Sequence, residues 1–368
     1  MNTVRKIDTV ARFGGDEFVI VLHELGTDLE KSELIAKDIA SKLLASIRKE
    51  IFINDQKHII NASIGISVFN GFTKPAETII LETDMAMYQA KQEGRNRYVL
   101  YHPIIRSENI ALNTLLYELR IAIECNQFIL YYQPQFNTNL TLFGVEALLR
   151  WQHPTRGLLT PAEFLSIAEQ SEYIHLLGNK ITEMALSQLA LWQESEDTKH
   201  LMMSINISPR QFEKDDFFDE FYKLISKYKI DTSRLILELT ETALTLDIDQ
   251  IIKKFNQIRD LGILLSIDDF GTGHSSLGYL FQLPIQQLKI DRSFIQNIVE
   301  DRQLQIITKA IISLGKNLDL FVVAEGIETK GQEQWLIENS CDILQGNLYA
   351  RALPVVELKL FINELKNK

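Results

Sequence analysis

Residues 263–270, ILLSIDDF, form an apolar run that ends in two adjacent acids, Asp268 and Asp269. A run of about four to eight mostly apolar residues, followed by a helical pattern, is typical of a buried parallel strand. Six further runs between residues 140 and 350 follow the same plan, and each ends near a side chain that can bind a metal or orient a phosphate. These side chains are Glu146, Asn206, Glu238, Lys289 with Asp291, Glu325 and Gln345.

Repetition of the strand–helix unit predicts a (β/α) barrel of the α/β class, in which the C-terminal strand ends build the active site. Asn137 and Asn139 mark a turn between the first two strands, so we expect this pair to be antiparallel, because a parallel pair needs a long crossover. The predicted strands span 128–134, 142–149, 201–207, 235–240, 263–268, 286–290, 320–325 and 342–345, and the predicted helices span 162–194 (with a break allowed), 244–260, 301–317 and 330–339.

Carboxylates, an amide and a lysine on one rim would form a strongly acidic pocket. Such a pocket is reasonable if divalent cations neutralise it. The alternative is that strand-end acids merely cap helices or face the solvent. That alternative explains any single acid equally well, but it is a poor account of a whole set on successive strand ends.

Length and composition limit the function classes. The 368 residues suffice for a barrel with a smaller neighbouring domain. A net charge of −11 argues against a nucleic acid polymer as partner but not against a small anionic nucleotide. No run approaches about 18 apolar residues, and residues 1–15 lack the apolar core of a signal peptide, so we expect no membrane span. Cys125 and Cys341 lack metal-site spacing and are expected to be reduced thiols of a cytoplasmic protein.

Residues 1–101 follow a mixed α/β pattern. Gly14 and Gly15 predict a hairpin turn. The pattern further predicts helices over 28–50 and 76–92 and one strand in each of 51–60 and 61–69. A helical pattern over 101–124 leads into the second half. We therefore expect three parts, namely a first domain over 1–101, a helical linker over 102–115 and the barrel over 116–368.

Several motifs in the second half resemble those of one family. VEALLRWQHP, NISPRQF, ELTET, IDDFGTGHSSL, LKIDRSFI, VAEGIET and QGNLYA occur in order between Tyr117 and the C-terminus. This set resembles the EAL phosphodiesterases, which hydrolyse cyclic di-GMP, whereas the tripeptide Glu-Ala-Leu alone is too common to be informative. The resemblance implies an EAL-type modified (β/α)8 TIM-like barrel with an antiparallel first strand. His274, where relatives more often have Tyr, is interpreted as a loop change and not as a metal ligand.

The resemblance implies two Mg²⁺ or Mn²⁺ ions in the active site. Hard carboxylate and amide oxygens suit these ions. Two ions about 4 Å apart can stabilise both the attacking and the leaving oxygen of a phosphodiester. Because adjacent residues of a regular strand point to opposite faces, the chain must turn at Asp268 and Asp269. The implied ligands are Glu146, Asn206, Glu238 and Asp268 for one ion, with Asp268 bridging to a second ion held by Asp269 and Glu325.

The resemblance also assigns catalytic and substrate-binding roles. Lys289, with Glu325, is implied in catalysis, where the lysine orients or deprotonates the attacking water; a surface salt bridge is the alternative. Glu241 is implied to brace the DFGTG loop, and its alternative is a helix cap. The implied substrate contacts are Gln133, Arg150, Asp291 and Gln345; for the two glutamines, the alternative is a capping or a buried, hydrogen-bonded amide.

The first hundred residues resemble the back part of a GGDEF domain, the fold of diguanylate cyclases. The resemblance rests on GGDEF at 14–18, SIGIS at 63–67 and DMAMYQAKQEGRNRY at 84–98. Arg5 and Asp8 have the spacing of the family's product-binding inhibitory site, here expected to be vestigial. The family's upstream metal-binding strand and nucleotide-binding helix have no counterpart in the 13 residues before Gly14. We therefore expect a truncated, partial α+β GGDEF domain without cyclase activity.

Taken with the motifs, the resemblance predicts a bacterial, cytoplasmic cyclic di-GMP phosphodiesterase that releases linear pGpG. A homodimer through the EAL domain is the assembly that the family implies. The alternative is a catalytically silent receptor that binds cyclic di-GMP and signals through a protein partner. Receptors of that kind usually lack a ligand or a residue of the DFGTG loop, and this sequence retains them.

Overall fold

The structure is a computed structural model that describes residues 3–53, 56–58, 60–71, 74–241, 243, 248–272 and 280–367. The chain divides into two units, Met1–Leu115 and Leu116–Lys368, and the boundary falls within one long helix, Pro103–Glu124. Among the helices that the structure describes, none combines the length and the apolar character needed to cross a membrane.

The first unit begins with an antiparallel hairpin at the Gly-Gly turn, as predicted. Its two strands pair with a register shift between Arg12 and Gly14. Gly15 has φ +50°, a left-handed conformation that glycine adopts readily, and its carbonyl accepts two hydrogen bonds from the Arg12 guanidinium at 2.9 and 2.7 Å. The elements of this unit are β1 (Thr9–Gly14), β2 (Glu17–Val21), α1 (Leu29–Ile47), β3 (Ile51–Ile53), β4 (Gln56–His58), β5 (Ile64–Ile66), α2 (Ala76–Gln92) and β6 (Tyr98–Leu100).

Both predicted helices of the first unit are present, but its strands differ from the prediction. The single strand predicted over 51–60 is wrong, because β3 and β4 divide it and pair antiparallel. Asn54 and Asp55, which lie outside the described residues, are residue types that favour turns over strand interiors. The strand predicted over 61–69 is limited to β5, which pairs in parallel with the unpredicted β6.

The second unit is a closed barrel of eight strands. Helix α3 (Pro103–Glu124) leads into it. The first barrel strand pairs antiparallel with the second and with the last, and all other neighbours in the barrel are parallel. This confirms the predicted fold class and its antiparallel first strand. The barrel strands are β7 (Phe128–Asn137), β8 (Leu142–His153), β10 (Met202–Ile207), β11 (Leu235–Thr240), β12 (Leu264–Phe270), β13 (Gln287–Ile290), β14 (Phe321–Ala324) and β15 (Ile343–Gln345), with β9 (Gly157–Leu159) and β16 (Leu353–Pro354) as short additions.

Helices follow the strands in the pattern that the sequence predicts. The helix predicted over 162–194 is interrupted between Glu169 and Tyr173. The helix predicted over 244–260 is described from Ile248 onward, and residues 244–247 lie outside the described residues. The helices are α4 (Leu165–Glu169), α5 (Tyr173–Gln193), α6 (Pro209–Glu213), α7 (Phe217–Tyr228), α8 (Ile248–Asp260), α9 (Arg292–Ile295), α10 (Arg302–Asn317), α11 (Lys330–Glu338) and α12 (Val355–Lys366), with 3-10 turns at Pro161–Glu163 and Thr232–Arg234.

Burial on both faces explains the apolar strand runs. Leu237, Ile267 and Val323 are inaccessible to solvent, as expected for parallel strands covered by helices. Polar side chains lie near the C-terminal ends of these strands. Asn206 pairs in register with Glu238 on the next strand. Because residues in register on neighbouring strands point to the same side, the fold brings the strand-end polar residues to one edge of the barrel.

Candidate active site

A buried lysine lies at the centre of the strand-end carboxylates. Lys289 on β13 is 0% exposed, and its Nζ lies 2.6 Å from both Glu238 Oε2 and Glu325 Oε1. The same ammonium lies 3.2 Å from Asp268 Oδ1 and 3.5 Å from Glu146 Oε2. Burial alone would lower the pKa of Lys289, but these four carboxylates raise it well above its ordinary value. Its burial excludes the surface salt bridge considered as the alternative for this lysine.

Strand β12 carries its two adjacent acids to the same site through a bulge. The register between β12 and β13 shifts between Ile267 and Phe270, and Asp269 has φ +54°. This left-handed conformation is uncommon for a residue with a side chain, although aspartate tolerates it better than most. As a result, three carboxylate oxygens lie within 4.8 Å of one another, one each from Asp268, Asp269 and Glu325. The turn predicted at these two acids is present.

Two amides hold the carboxylate of Glu146. Asn206 Nδ2 donates to Glu146 Oε1 at 2.6 Å, and Gln345 Nε2 donates to Oε2 at 2.6 Å. Burial would raise the pKa of Glu146, but Lys289 and the two amide donors outweigh it and lower the pKa. Glu146 is therefore held in its ionised form. For Asn206 to serve as a metal ligand, its amide must turn so that Oδ1 faces the ion.

Glu238 differs from Glu146 although both contact the same lysine. Its Oε2 accepts from Lys289, but its Oε1 is buried and has no hydrogen-bond partner among the described residues. Burial, reinforced by the charges of Glu146 and Asp268, raises the pKa of Glu238 to about 8. An unpaired buried carboxylate oxygen is costly unless a proton or a cation satisfies it. Glu238 is thus an acid whose ionised form needs a further positive partner.

The donor set fits divalent cations. Burial, with the nearby charges of Asp268 and Asp291, raises the pKa of Asp269 to about 6. Burial also raises the pKa of Glu325 well above its ordinary value. Lys289 acts to lower this pKa, but the neighbouring carboxylates act to raise it. More carboxylates converge here than one ammonium can neutralise, and all the donor atoms are hard oxygens of the kind that Mg²⁺ and Mn²⁺ prefer. The assignment of each ligand to one of two ions stays a prediction.

Glu241 contacts the loop that it was predicted to brace. Its buried carboxylate accepts a hydrogen bond from the backbone N–H of Gly271 at 2.9 Å. Gly271 directly follows β12 and has φ +98°, a conformation that a side chain would strain. This contact fixes the chain just beyond Asp268 and Asp269. Gly273 and His274 lie outside the described residues.

Arg150 lies near the rim, four residues beyond Glu146 on β8. Its guanidinium carbon lies 5.5 Å from the centre of the Tyr131 ring, and Nη1 donates to the Leu149 carbonyl at 2.7 Å. Partial burial lowers the pKa of Arg150, although arginine remains a cation at any pH of interest. Stacking on the tyrosine limits the side chain to few conformations. Its grip on a substrate phosphate stays a prediction.

The other predicted substrate contacts have partners within the protein. Gln345 is buried and donates to Glu146 and, at 3.2 Å, to Gln133 Oε1. Gln133 in turn donates to the Ala350 carbonyl at 3.2 Å. Asp291 caps α9 by accepting from the Ser293 N–H at 3.0 Å. Gln345 therefore supports a predicted ligand, and direct contact of these residues with substrate stays a prediction.

Gln135 was not among the site residues predicted from the sequence. This residue of β7 is 0% exposed, and its Nε2 donates to Gln345 Oε1 at 2.8 Å. The sequence did contain an indication of its role. Residues two apart in a strand share a face, and Gln133 was already predicted as a substrate contact. Gln135 thus belongs to the same hydrogen-bonded set as Glu146.

In the first unit, the Asp8 carboxylate accepts hydrogen bonds from two backbone N–H groups. Its Oδ2 accepts from the Arg5 backbone N–H at 2.7 Å, and its Oδ1 accepts from the His23 N–H at 3.1 Å. Desolvation opposes these hydrogen bonds, but together with the nearby charges they lower the pKa of Asp8. Both carboxylate oxygens therefore have local partners. The vestigial inhibitory site proposed for Arg5 and Asp8 stays a prediction.

Added Mg²⁺ is expected to raise the melting temperature more at about pH 8 than at about pH 5.5. The pKa values of Glu238 and Asp269 are raised to about 8 and about 6. Their protonated forms stabilise the fold fully below the unfolded pKa of about 4, and this contribution is lost as pH rises through the folded values. Bound cations would replace the lost protons and neutralise the ionised carboxylates. Thermal unfolding with saturating Mg²⁺, against a K⁺ control of equal ionic strength, measures the effect, and a shift independent of pH would contradict it.

The barrel and its site define a TIM-like barrel protein with an acidic site at the C-terminal strand ends. Residues 117–352 match the family model described as EAL domain, which covers more than half of the chain. Residues 1–97 match the model described as diguanylate cyclase, GGDEF domain. The chain therefore belongs to the EAL family, with a GGDEF-type segment before the barrel, as the motifs predicted.

Two curated relatives come from Pseudomonas aeruginosa. The bifunctional diguanylate cyclase/cyclic di-GMP phosphodiesterase MucR is 37% identical over 356 residues, which make up 96% of this chain and 51% of MucR. The cyclic di-GMP phosphodiesterase NbdA is 34% identical over 362 residues, or 98% of this chain and 45% of NbdA. The chain thus spans about half the length of the curated relatives it matches.

Among solved structures, the PaMucR phosphodiesterase in complex with c-di-GMP is 40% identical to this chain. The match has a TM-score of 0.65 and covers 67% of this chain and 99% of that one. The EAL enzyme Bd1971 in its cAMP- and cyclic-di-GMP-bound form is 34% identical, with a TM-score of 0.65 and coverage of 78% and 77%.

Proposed function

We propose that this chain hydrolyses cyclic di-GMP to linear pGpG with the help of two divalent cations. The observation that carries the proposal is the buried Lys289 within 3.5 Å of four carboxylates at the C-terminal strand ends of the barrel. Membership of the EAL family and the likeness to a phosphodiesterase solved with c-di-GMP support the same substrate.

The proposed cation sites use the ligands that the motifs imply. Glu146, Asn206, Glu238 and Asp268 would hold one cation, and Asp268, Asp269 and Glu325 would hold the other. When bound, two such cations supply an activated water and stabilise charge on the attacking and leaving oxygens of the phosphodiester. The bulge in β12 supports a bridging role for Asp268, because it directs neighbouring acids to the same place.

Lys289 is proposed to orient the attacking water and not to deprotonate it. A general base must be unprotonated at the working pH, whereas the surrounding carboxylates raise the pKa of this lysine well above its ordinary value. As an ammonium it has three N–H donors and no acceptor. Its charge offsets the repulsion among the carboxylates, and one of its N–H groups could donate to the water oxygen where cations take over a carboxylate, while another carboxylate or the solvent receives the proton.

Arg150 is proposed to bind a phosphate of the substrate at the outer part of the rim. A planar guanidinium can donate two parallel hydrogen bonds to one phosphate. Its stacking on Tyr131 supports this role, because a side chain that is already ordered loses less entropy on binding. Gln133 and Asp291 are proposed to contact the nucleotide. Glu241 is proposed to keep the β12 loop in place.

The test is incubation of the purified chain with cyclic di-GMP. With Mg²⁺ or Mn²⁺, chromatography is expected to show conversion to pGpG, and EDTA is expected to stop it. Ca²⁺ is expected to inhibit, because it prefers longer bonds and looser geometry than Mg²⁺. Tight binding of cyclic di-GMP without turnover in any Mg²⁺ or Mn²⁺ condition would contradict the proposal and make the chain a receptor.

The proposed division of labour follows the three parts expected from the sequence. Residues 116–368 would carry the phosphodiesterase, residues 102–115 would form a helical linker, and residues 1–101 would be a GGDEF-type segment without cyclase activity. The boundary at Leu115 and Leu116 and the family match over residues 117–352 support the position of the barrel domain.

A further inference from the structure

A short hydrogen-bond chain runs from β7 to a proposed metal ligand. Gln135 Nε2 donates to Gln345 Oε1 at 2.8 Å, and Gln345 Nε2 donates to Glu146 Oε2 at 2.6 Å. All three side chains are buried, with exposures of 0%, 3% and 5%. Hydrogen bonds between buried groups are costly to break, because water cannot replace the lost partner.

The direction of this chain follows from chemistry. An ionised carboxylate only accepts hydrogen bonds, so Gln345 must turn its NH₂ group toward Glu146. Its second N–H reaches Gln133 Oε1 at 3.2 Å, which leaves the oxygen of Gln345 facing β7. Only a donor can satisfy that oxygen, and Gln135 is the donor there. Removing it would leave the oxygen unpaired and weaken the preference for this orientation of Gln345.

The position of Gln135 follows from the antiparallel strand. Gln135 lies directly across from Gln345 in the β7–β15 pairing, and Gln133 lies directly across from Glu146 in the β7–β8 pairing. Residues opposite each other in antiparallel strands have Cβ atoms about 5 Å apart, close enough for glutamine side chains to meet. Strand β7 thus places Gln133 opposite β8 and Gln135 opposite β15.

We propose that Gln135 is a positioning residue for the metal site: it fixes the amide of Gln345, which fixes the carboxylate of Glu146 in the orientation that holds a divalent cation. The inference rests on the proposed function, because Glu146 is a ligand only in that proposal. Partners of this kind, one step removed from a metal ligand, typically change metal affinity or activity by about 10- to 100-fold when they are removed.

Gln135→Met tests the inference, because methionine has a similar size but cannot donate. Titration calorimetry with Mn²⁺ is expected to show about tenfold weaker binding than in the wild-type chain. At saturating Mn²⁺, the KM for cyclic di-GMP is expected to stay unchanged. If Gln135→Met folds poorly, Gln135→Leu serves as the second variant, because it fills the space differently and also lacks the donor. It is expected to give the same loss of Mn²⁺ affinity. Gln287→Met is the matched control, since it changes another buried glutamine of the barrel, and its Oε1 has no hydrogen-bond partner in the part of the chain that the structure describes.

A double-mutant cycle distinguishes positioning from general destabilisation. In a Gln345→Met background, Gln135→Met is expected to weaken Mn²⁺ binding no further, because its effect passes through Gln345. Unchanged Mn²⁺ affinity in Gln135→Met, or losses that add in the double variant, would overturn the inference. A wild-type chain that binds Mn²⁺ without hydrolysing cyclic di-GMP would refute the proposed function alone, since the affinity comparison does not depend on turnover.

Discussion

Asp268→Asn is expected to lower the turnover of cyclic di-GMP by roughly a thousandfold or more, which corresponds to about 4 kcal/mol of transition-state stabilisation. Asp268 is the one residue proposed to contact both cations. The substitution keeps the size of the side chain but removes one negative charge from the centre of the site. Asp268 Oδ1 also accepts the N–H of Asp269 at 2.9 Å, a contact that the amide oxygen of asparagine can retain. The loss should therefore be chemical and not structural.

Circular dichroism and thermal unfolding are expected to show a folded Asp268→Asn variant in the absence of metal. Asp260→Asn, the same change at an exposed position at the end of α8, serves as control and should keep wild-type turnover. Activity of Asp268→Asn within about tenfold of wild type at saturating Mg²⁺ would rule out a bridging role for Asp268.

Lys289→Met is expected to produce the second-largest change, and it should affect both stability and activity. Lys289 is the cation between four carboxylates, and breaking a buried ion pair by removing one partner costs about 3–5 kcal/mol. We expect a loss of this order in urea unfolding without metal at about pH 8. Saturating Mg²⁺ should restore most of the stability, because cations can neutralise the same carboxylates. Turnover should still fall about a hundredfold, since the water loses its donor.

The comparison of stability with and without Mg²⁺ separates the two roles of Lys289. Lys199→Met, which removes a lysine from an exposed ion pair with Glu196, is expected to change neither quantity measurably. If Lys289→Met unfolded at the wild-type urea concentration without metal, the lysine would not be the counter-charge of these acids. If its turnover remained at the wild-type level with Mg²⁺, the orienting role would be wrong.

The barrel was predictable because its strands follow one simple rule. Parallel strands are buried on both faces, so a polar residue such as Glu238 or Lys289 stands out against an apolar run. The turn between β7 and β8 was readable from Asn137 and Asn139, and it fixed the antiparallel first strand. Strand ends in the sequence therefore located the rim, and the structure brings Glu146, Glu238, Asp268, Glu325 and Lys289 together there.

Other features depend on tertiary packing that no local pattern records. The sequence required a turn at Asp268 and Asp269, but not that a bulge with a left-handed Asp269 would provide it. The burial of Gln345 depends on its partners Gln135 and Glu146, which are about 200 residues away in sequence (210 and 199). In the first unit, by contrast, the single strand predicted over 51–60 overlooked Asn54 and Asp55, whose residue types favour a turn and divide the apolar ends of this stretch.

The antiparallel first strand also decides where the polypeptide enters the barrel. Phe128, at the start of β7, pairs with Trp151 near the end of β8, so the chain comes in at the end where the parallel strands terminate. Just before β7, Glu118 of α3 contacts the same end of the barrel. Its Oε2 lies 3.4 Å from Nε2 of His153, the last residue of β8, and 2.9 Å from Nη2 of Arg156, just beyond β8. In a regular (β/α)8 barrel, the incoming segment would arrive at the opposite end, away from the chemistry. Here the chain enters at the end of the barrel that carries the strand-end carboxylates, so a movement of the barrel-side end of α3 would act beside the proposed site without having to cross the barrel.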